Sequence, residues 1–126
     1  MVNGERILLD SMIFIDHFNG HAPATDYLRA VADRASLSAI TRAEVLTGFD
    51  ADGIDAARHL LDCFPLLPID QPVADIAARL RREHRWRLPD ALQAAVTLHH
   101  GLRLATRNTR DFDPKKLSYV VLPYLL

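Results

Sequence analysis

The chain has 126 residues, of which 49% are apolar and 25% charged, with a formal net charge of −1. That length suits one domain with a single real core. Nothing approaches the roughly 18 consecutive apolar residues of a membrane span, and the lone Cys63 excludes an internal disulfide or a cysteine-built zinc site. A near-neutral chain is also not one that grips nucleic acid over a broad basic surface, so any such contact must be a local patch or run through cations that offset its acids.

Of the 15 basic residues only Lys115 and Lys116 are lysines. Arginine is the better bidentate phosphate ligand, but genome composition produces the same bias. No Gly/Ser linker, low-complexity tract or repeat interrupts the chain, so residues 1–126 are read as one domain. The N-terminus lacks a basic stretch followed by a long apolar run, and a cytoplasmic protein is the default expectation.

In chain order, Arg6 to Asp10 reads as a short buried strand ending in an acid. Ser11 to Phe18 carries Met12, Ile13, Ile15 and Phe18 at helical spacing and closes on Asn19-Gly20, a glycine stop. Ala24 to Ala32 predicts a helix with Tyr27, Leu28 and Val31 inward, and Ala35 to Ile40 a second apolar strand. Thr41 then reads as an N-cap, with Glu44 three residues on completing a capping box. Ile54 to Cys63 predicts a helix, Pro65 to Ile69 a short strand followed by Asp70, and Pro72 to Arg85 the clearest amphipathic helix, with Val73, Ile76, Ala77 and Leu80 on one face. Pro89 opens another helix, which Gly101 ends. Leu102 to Ala105 and Tyr119 to Leu122 read as the last strands. Strands alternating with helices long enough for crossovers predict an α/β fold, a mostly parallel sheet of about five strands with helices on both sides. Such sheets bind ligands beyond the carboxyl ends of their strands.

Four acids fall near that edge. Asp10 follows the first strand, Glu44 sits just after the second, Asp90 is on the first turn of the Pro89 helix, and Asp111 lies in the loop Thr106 to Asp111. Each alone has an ordinary explanation, as helix-dipole complement or turn former. Together they repel one another unless a cation is bound. Mg²⁺ and Mn²⁺ take such oxygen ligands, and phosphoryl transfer is the chemistry that most often uses them.

Four segments resemble PIN-domain ribonucleases of the VapC toxin type: Leu8-Leu9-Asp10-Ser11 with Ile15-Asp16; Thr41-Arg42-Ala43-Glu44-Val45-Leu46-Thr47-Gly48; Leu88-Pro89-Asp90-Ala91-Leu92-Gln93-Ala94-Ala95; and Gly101 through Phe112. They stand in the family's order and span most of the chain. The resemblance implies a three-layer α/β/α PIN sandwich and Mg²⁺- or Mn²⁺-dependent cleavage of RNA. It implies a metal-binding quartet at Asp10, Glu44, Asp90 and Asp111, in which Asp111 against Asn108 is the less settled assignment. Asn108 would be an accessory polar group, and Ser11 and Thr106 supporting hydroxyls. It further implies a cognate VapB-like antitoxin and a homodimer. Gln93 departs from the apolar residue many relatives carry there, and a solvent-facing position is the expectation.

Arg79, Arg81, Arg82, Arg85 and Arg87 cluster with His84 and Trp86 just before Asp90. They read either as a solvated helix face with a packing tryptophan, or as phosphate contacts beside a base-stacking ring. Arg85, Arg87, Arg107 and Arg110 are the RNA-contact candidates. The six histidines show no zinc-site spacing: His99 and His100 are adjacent and point about 100° apart on a helix. Two other function classes make different demands on the sequence. A non-catalytic PIN-like RNA- or protein-binding domain would be expected to lack one of the acids, and a receiver-type phosphoryl acceptor wants a second acid beside Asp10 and a late lysine near the site.

Overall fold

The computed structural model describes residues 5–126. Its sheet is built on β1 (Ile7–Leu9), three apolar residues with no polar alternation, which is what a strand covered on both faces requires. β1 pairs in parallel with β2 (Ala35–Ser38) on one side and β4 (Arg103–Ala105) on the other. β3 (Leu66–Leu67) extends the sheet beyond β2, and β5 (Val120–Val121) beyond β4. The order β3-β2-β1-β4-β5 is parallel throughout, so the expectation of a mostly parallel five-stranded sheet holds.

Alternate side chains along the strands feed two cores. Ile7, Leu9, Ala35, Leu37 and Ala105 pack with α1 (Ser11–Phe18), α2 (Ala22–Val31), α3 (Ala39–Thr47) and α4 (Ile54–Leu61), around Phe14, Val31, Val45 and Leu61. Leu8, Leu104 and Val120 face the other way, onto α5 (Gln71–His84) and α6 (Leu88–His99), around Val73, Ala77, Leu80 and Ala94. The result is the three-layer α/β/α arrangement. Among the described residues no helix is long and apolar enough to cross a membrane.

The element boundaries move for identifiable reasons. β2 ends at Ser38, whose hydroxyl accepts from the Thr41 amide at 3.2 Å and caps α3. Thr41 is therefore not the N-cap, and Ala39 and Ile40 are helix rather than strand. Thr41 lies fully buried inside the first turn, its hydroxyl donating to the Leu9 carbonyl at 3.1 Å, and Glu44 stands mid-helix. Asp70 caps α5 through the Val73 amide, and Pro72 sits in its first turn. β3 and β5 keep only two residues each where longer strands were expected, as suits short sheet edges.

Gly101 follows α6 at φ +66, and a Cβ added there meets nothing within 4 Å. Gly101→Ala is therefore expected to cost about 1 kcal/mol from backbone strain alone. Urea denaturation of the full chain measures it, and an unchanged midpoint would show that the helix end readjusts freely.

Candidate active site

The chain runs β1-β2-β3 toward one edge of the sheet and then returns to lay β4 and β5 on the other side of β1. The carboxyl ends of β1 and β4 thus flank the point where strand order reverses, the place open α/β sheets offer a ligand. Asp10 follows β1 directly and Thr106 follows β4, and the Thr106 hydroxyl donates to Asp10 Oδ2 at 2.5 Å. The register Leu9↔Ala105 brings these residues together across 96 positions of sequence.

Asp10 is 9% exposed. As N-cap of α1 its Oδ1 accepts from the Ser11 amide at 2.9 Å and from Gln93 Nε2 at 3.3 Å. Burial pushes its pKa up, against the pull of the hydrogen bonds from Thr106, Ser11 and Gln93. Glu44 reaches the same region from α3. Its pKa is also raised, first by burial and then by the charges of Asp10 and Asp90, while a hydrogen bond with Ser11 and the charge of Arg87 pull it down. Asp90, on the first turn of α6, is raised by burial; Arg87, whose Nε stands 3.8 Å from Asp90 Oδ2, lowers it, and Asp111 and Asp10 raise it again. Asp10, Asp90 and Asp111 each raise the pKa of another acid of the four, and Asp10, Glu44 and Asp90 hold their protons more tightly than free carboxylates.

Asp111 is exposed, as is Glu44, and is steadied by Asn108, whose Nδ2 donates to Asp111 Oδ2 at 3.1 Å. The Asn108 amide in turn donates to Thr106 Oγ1 at 3.0 Å. Asn108 thus links Asp111 back to Asp10 through the threonine. Among the described residues no three acids or histidines stand close enough to form a closed metal cage. The donor set nonetheless suits a hard divalent cation: every candidate ligand is a carboxylate oxygen, and burial raises the pKa of Asp10, Glu44 and Asp90, with neighbouring acids adding to the rise at Glu44 and Asp90.

Two residues of this region escaped the sequence reading. Gln93, expected to face solvent, is 3% exposed at the centre of the site. Its Nε2 donates to Thr41 Oγ1 at 2.7 Å as well as to Asp10, and its Oε1 accepts from the Ser38 hydroxyl at 2.5 Å. A glutamine can face the core here because both ends of its amide are satisfied. Asp16, on the buried face of α1, accepts from Arg107 Nε at 2.6 Å and Nη2 at 3.0 Å and from the Tyr124 hydroxyl at 2.7 Å. Burial alone would raise its pKa, but the bonds to Arg107 and Tyr124 and the guanidinium charge outweigh that and hold it low. Arg107 is therefore engaged in a bidentate ion pair, while the candidates Arg85, Arg87 and Arg110 line a cleft of about 640 Å³ together with Asp90 and Asp111.

A family model of the PIN domain matches residues 7–116. The chain belongs to the PIN-domain family. This PIN domain is similar in structure to a toxin–antitoxin complex from Klebsiella pneumoniae, at 36% identity and a TM-score of 0.86 over 95% of this chain and 99% of that one. It is also similar to FitAcB from Neisseria gonorrhoeae, at 27% identity and a TM-score of 0.79 over 95% and 99%. DNA-bound VapBC from Salmonella typhimurium shares the fold at 18% identity and a TM-score of 0.76, over 86% and 91%. Among curated protein sequences nothing matches the chain.

Two outcomes follow from this geometry. Gln93→Leu leaves the Ser38 hydroxyl and one side of Asp10 without their partner and is expected to cost about 1–3 kcal/mol in urea denaturation; no loss would mean that water replaces the amide. The raised pKa values of Asp10, Glu44 and Asp90 mean that the folded chain binds protons its unfolded form releases. In EDTA, stability contributed by these groups therefore falls as pH rises from ordinary carboxylate values through the raised ones. Thermal melts across that window should show this fall, and Glu44→Gln should lessen it. An identical pH dependence in that variant would mean that Glu44 does not share the field.

Proposed function

We propose that this PIN domain, read as one unit over residues 1–126, is a VapC-type toxin: a Mg²⁺- or Mn²⁺-dependent endoribonuclease that hydrolyses RNA phosphodiester bonds. The observation that carries the reading is the placement of Asp10 at the switch point of the sheet, within the electrostatic reach of Glu44 and Asp90. Membership of the PIN family and likeness to toxin–antitoxin complexes support it.

Asp10 and Asp90 would be the core metal ligands, with Glu44 and Asp111 completing the shell directly or through water. When bound, the cation would supply a Lewis acid that lowers the pKa of a water and offsets charge developing on the phosphate. The chain's own part is positional. Ser11 and Thr106 orient the carboxylates of Glu44 and Asp10, Gln93 fixes the other oxygen of Asp10, and Asn108 holds Asp111. Arg85, Arg87 and Arg110 bring positive charge to the acid cleft where an RNA phosphate would lie, and Arg107 braces the loop that carries Asn108. No Ser, His or Cys nucleophile is required. A cognate VapB-like antitoxin, a homodimeric state and a cytoplasmic site complete the proposal.

The test is cleavage of total cellular RNA by the purified chain in Mg²⁺ or Mn²⁺. EDTA is expected to abolish cutting, and Asp10→Asn to reduce it by at least about 100-fold. A folded, antitoxin-free chain that binds RNA and leaves it intact would favour the alternative, a non-catalytic PIN-like binding domain.

A further inference from the structure

The turn between α5 and α6 is built at a local cost. Arg85 caps α5 in the left-handed region, at φ 58 and ψ 29, and among the described residues it is the one non-glycine at positive φ. Glycine is the residue that takes this position without strain. A long cationic side chain there points to a role for its guanidinium, since backbone strain persists where function calls for it. Among the described residues Arg85 and Arg110 make no ion pair, and both line the cleft that holds Asp90 and Asp111.

On either side of Arg85 stand two rings. His84 and Trp86 are stacked, with centroids 4.1 Å apart and planes 12° from parallel. Trp86 is half-buried and rooted edge-on against the buried Phe112 at 5.1 Å, while His84 is exposed. The Trp86 carbonyl accepts from Arg81 Nε at 3.2 Å, which fixes the turn from the helix side. The cleft is therefore lined by carboxylates, guanidiniums and a flat, anchored aromatic stack. Flat rings beside arginines are what an unpaired nucleobase and its phosphate require.

The geometry points to a substrate subsite at the α5–α6 turn: an unpaired nucleotide next to the scissile phosphate stacks its base on His84, which Trp86 backs, and sets its phosphate against Arg85 and Arg110. The inference rests on the ribonuclease reading and deepens it, because it names the side chains that would hold the base beside the scissile phosphate.

Trp86 is the sole tryptophan of the chain, so its emission reports this site alone. In a non-cleaving Asp10→Asn background, an unstructured oligoribonucleotide of about eight residues should quench Trp86 as it binds. An abasic strand of the same length and a blunt RNA duplex should not. His84→Ala is expected to weaken binding about tenfold, the loss of one stacked base. Arg85→Gly should weaken binding while melting no lower than its parent, because it removes charge and strain together. Equal quenching by the abasic strand, or wild-type affinity in both variants, overturns the subsite. If the wild-type chain cuts RNA while Trp86 emission stays silent, the subsite falls and the ribonuclease reading stands. If the chain neither binds nor cuts RNA, both fall.

Discussion

A carboxylate that is nearly buried needs partners to stay charged, and the arrangement of this molecule follows from how Asp10 is given them. Its oxygens accept from the first amide of α1, from a side chain of α6 and from a hydroxyl just past β4. Those three contacts come from both helical layers and from the neighbouring strand. The acid at the end of the central strand thus fixes the relative positions of the elements that carry the rest of the site. Burial still leaves it with a raised proton affinity. The site is held together by packing and hydrogen bonds, against the mutual repulsion of its own acids.

Asp16 shows the opposite electrostatic solution a turn and a half further along α1. Instead of like charges it meets a guanidinium and a phenol, which hold its carboxyl low, while burial and the Asp16 carboxylate in turn raise the pKa of the Tyr124 hydroxyl. The contact ties α1, the 106–111 loop and the last residues of the chain into one unit behind the site. A divalent cation has no place here, because the charge is already balanced. The N-cap acid and the inner acid of α1 thus divide the labour: Asp10 stands among the clustered acids, and Asp16 braces the 106–111 loop.

The sequence carried the fold because its main signal, short apolar strands between amphipathic helices, survives in three dimensions almost unaltered. The ends were less legible. Thr41 and Glu44 have the spacing of a capping box, yet Ser38 is three residues ahead of Thr41 and takes the cap, freeing Thr41 to bond the Leu9 carbonyl. Two rival caps at the same spacing cannot be ranked without knowing where β2 leaves the sheet. Asp10 and Asp90 were legible because each sits at the end of an element, and Glu44 and Asp111 because of the motifs around them. Gln93 was not, because a polar residue on an apolar helix looks solvent-facing until the Ser38 and Thr41 hydroxyls are seen beneath it. Asp16 was hidden in the same way: its partners lie 91 and 108 positions away.

The order of the strands also governs when the site can exist. β1 occupies the middle of the sheet, but one of its two neighbours is β4, whose residues begin at Arg103. Half of the sheet's central pairing thus waits on contacts of very long sequence separation, which are slow to form. A nascent chain that has emerged only through α5 holds the residues of β1, β2 and β3, but it lacks Asp90, Thr106 and the Asp111 loop. Synthesis therefore delivers the residues of the scaffold first and completes the acid cluster last.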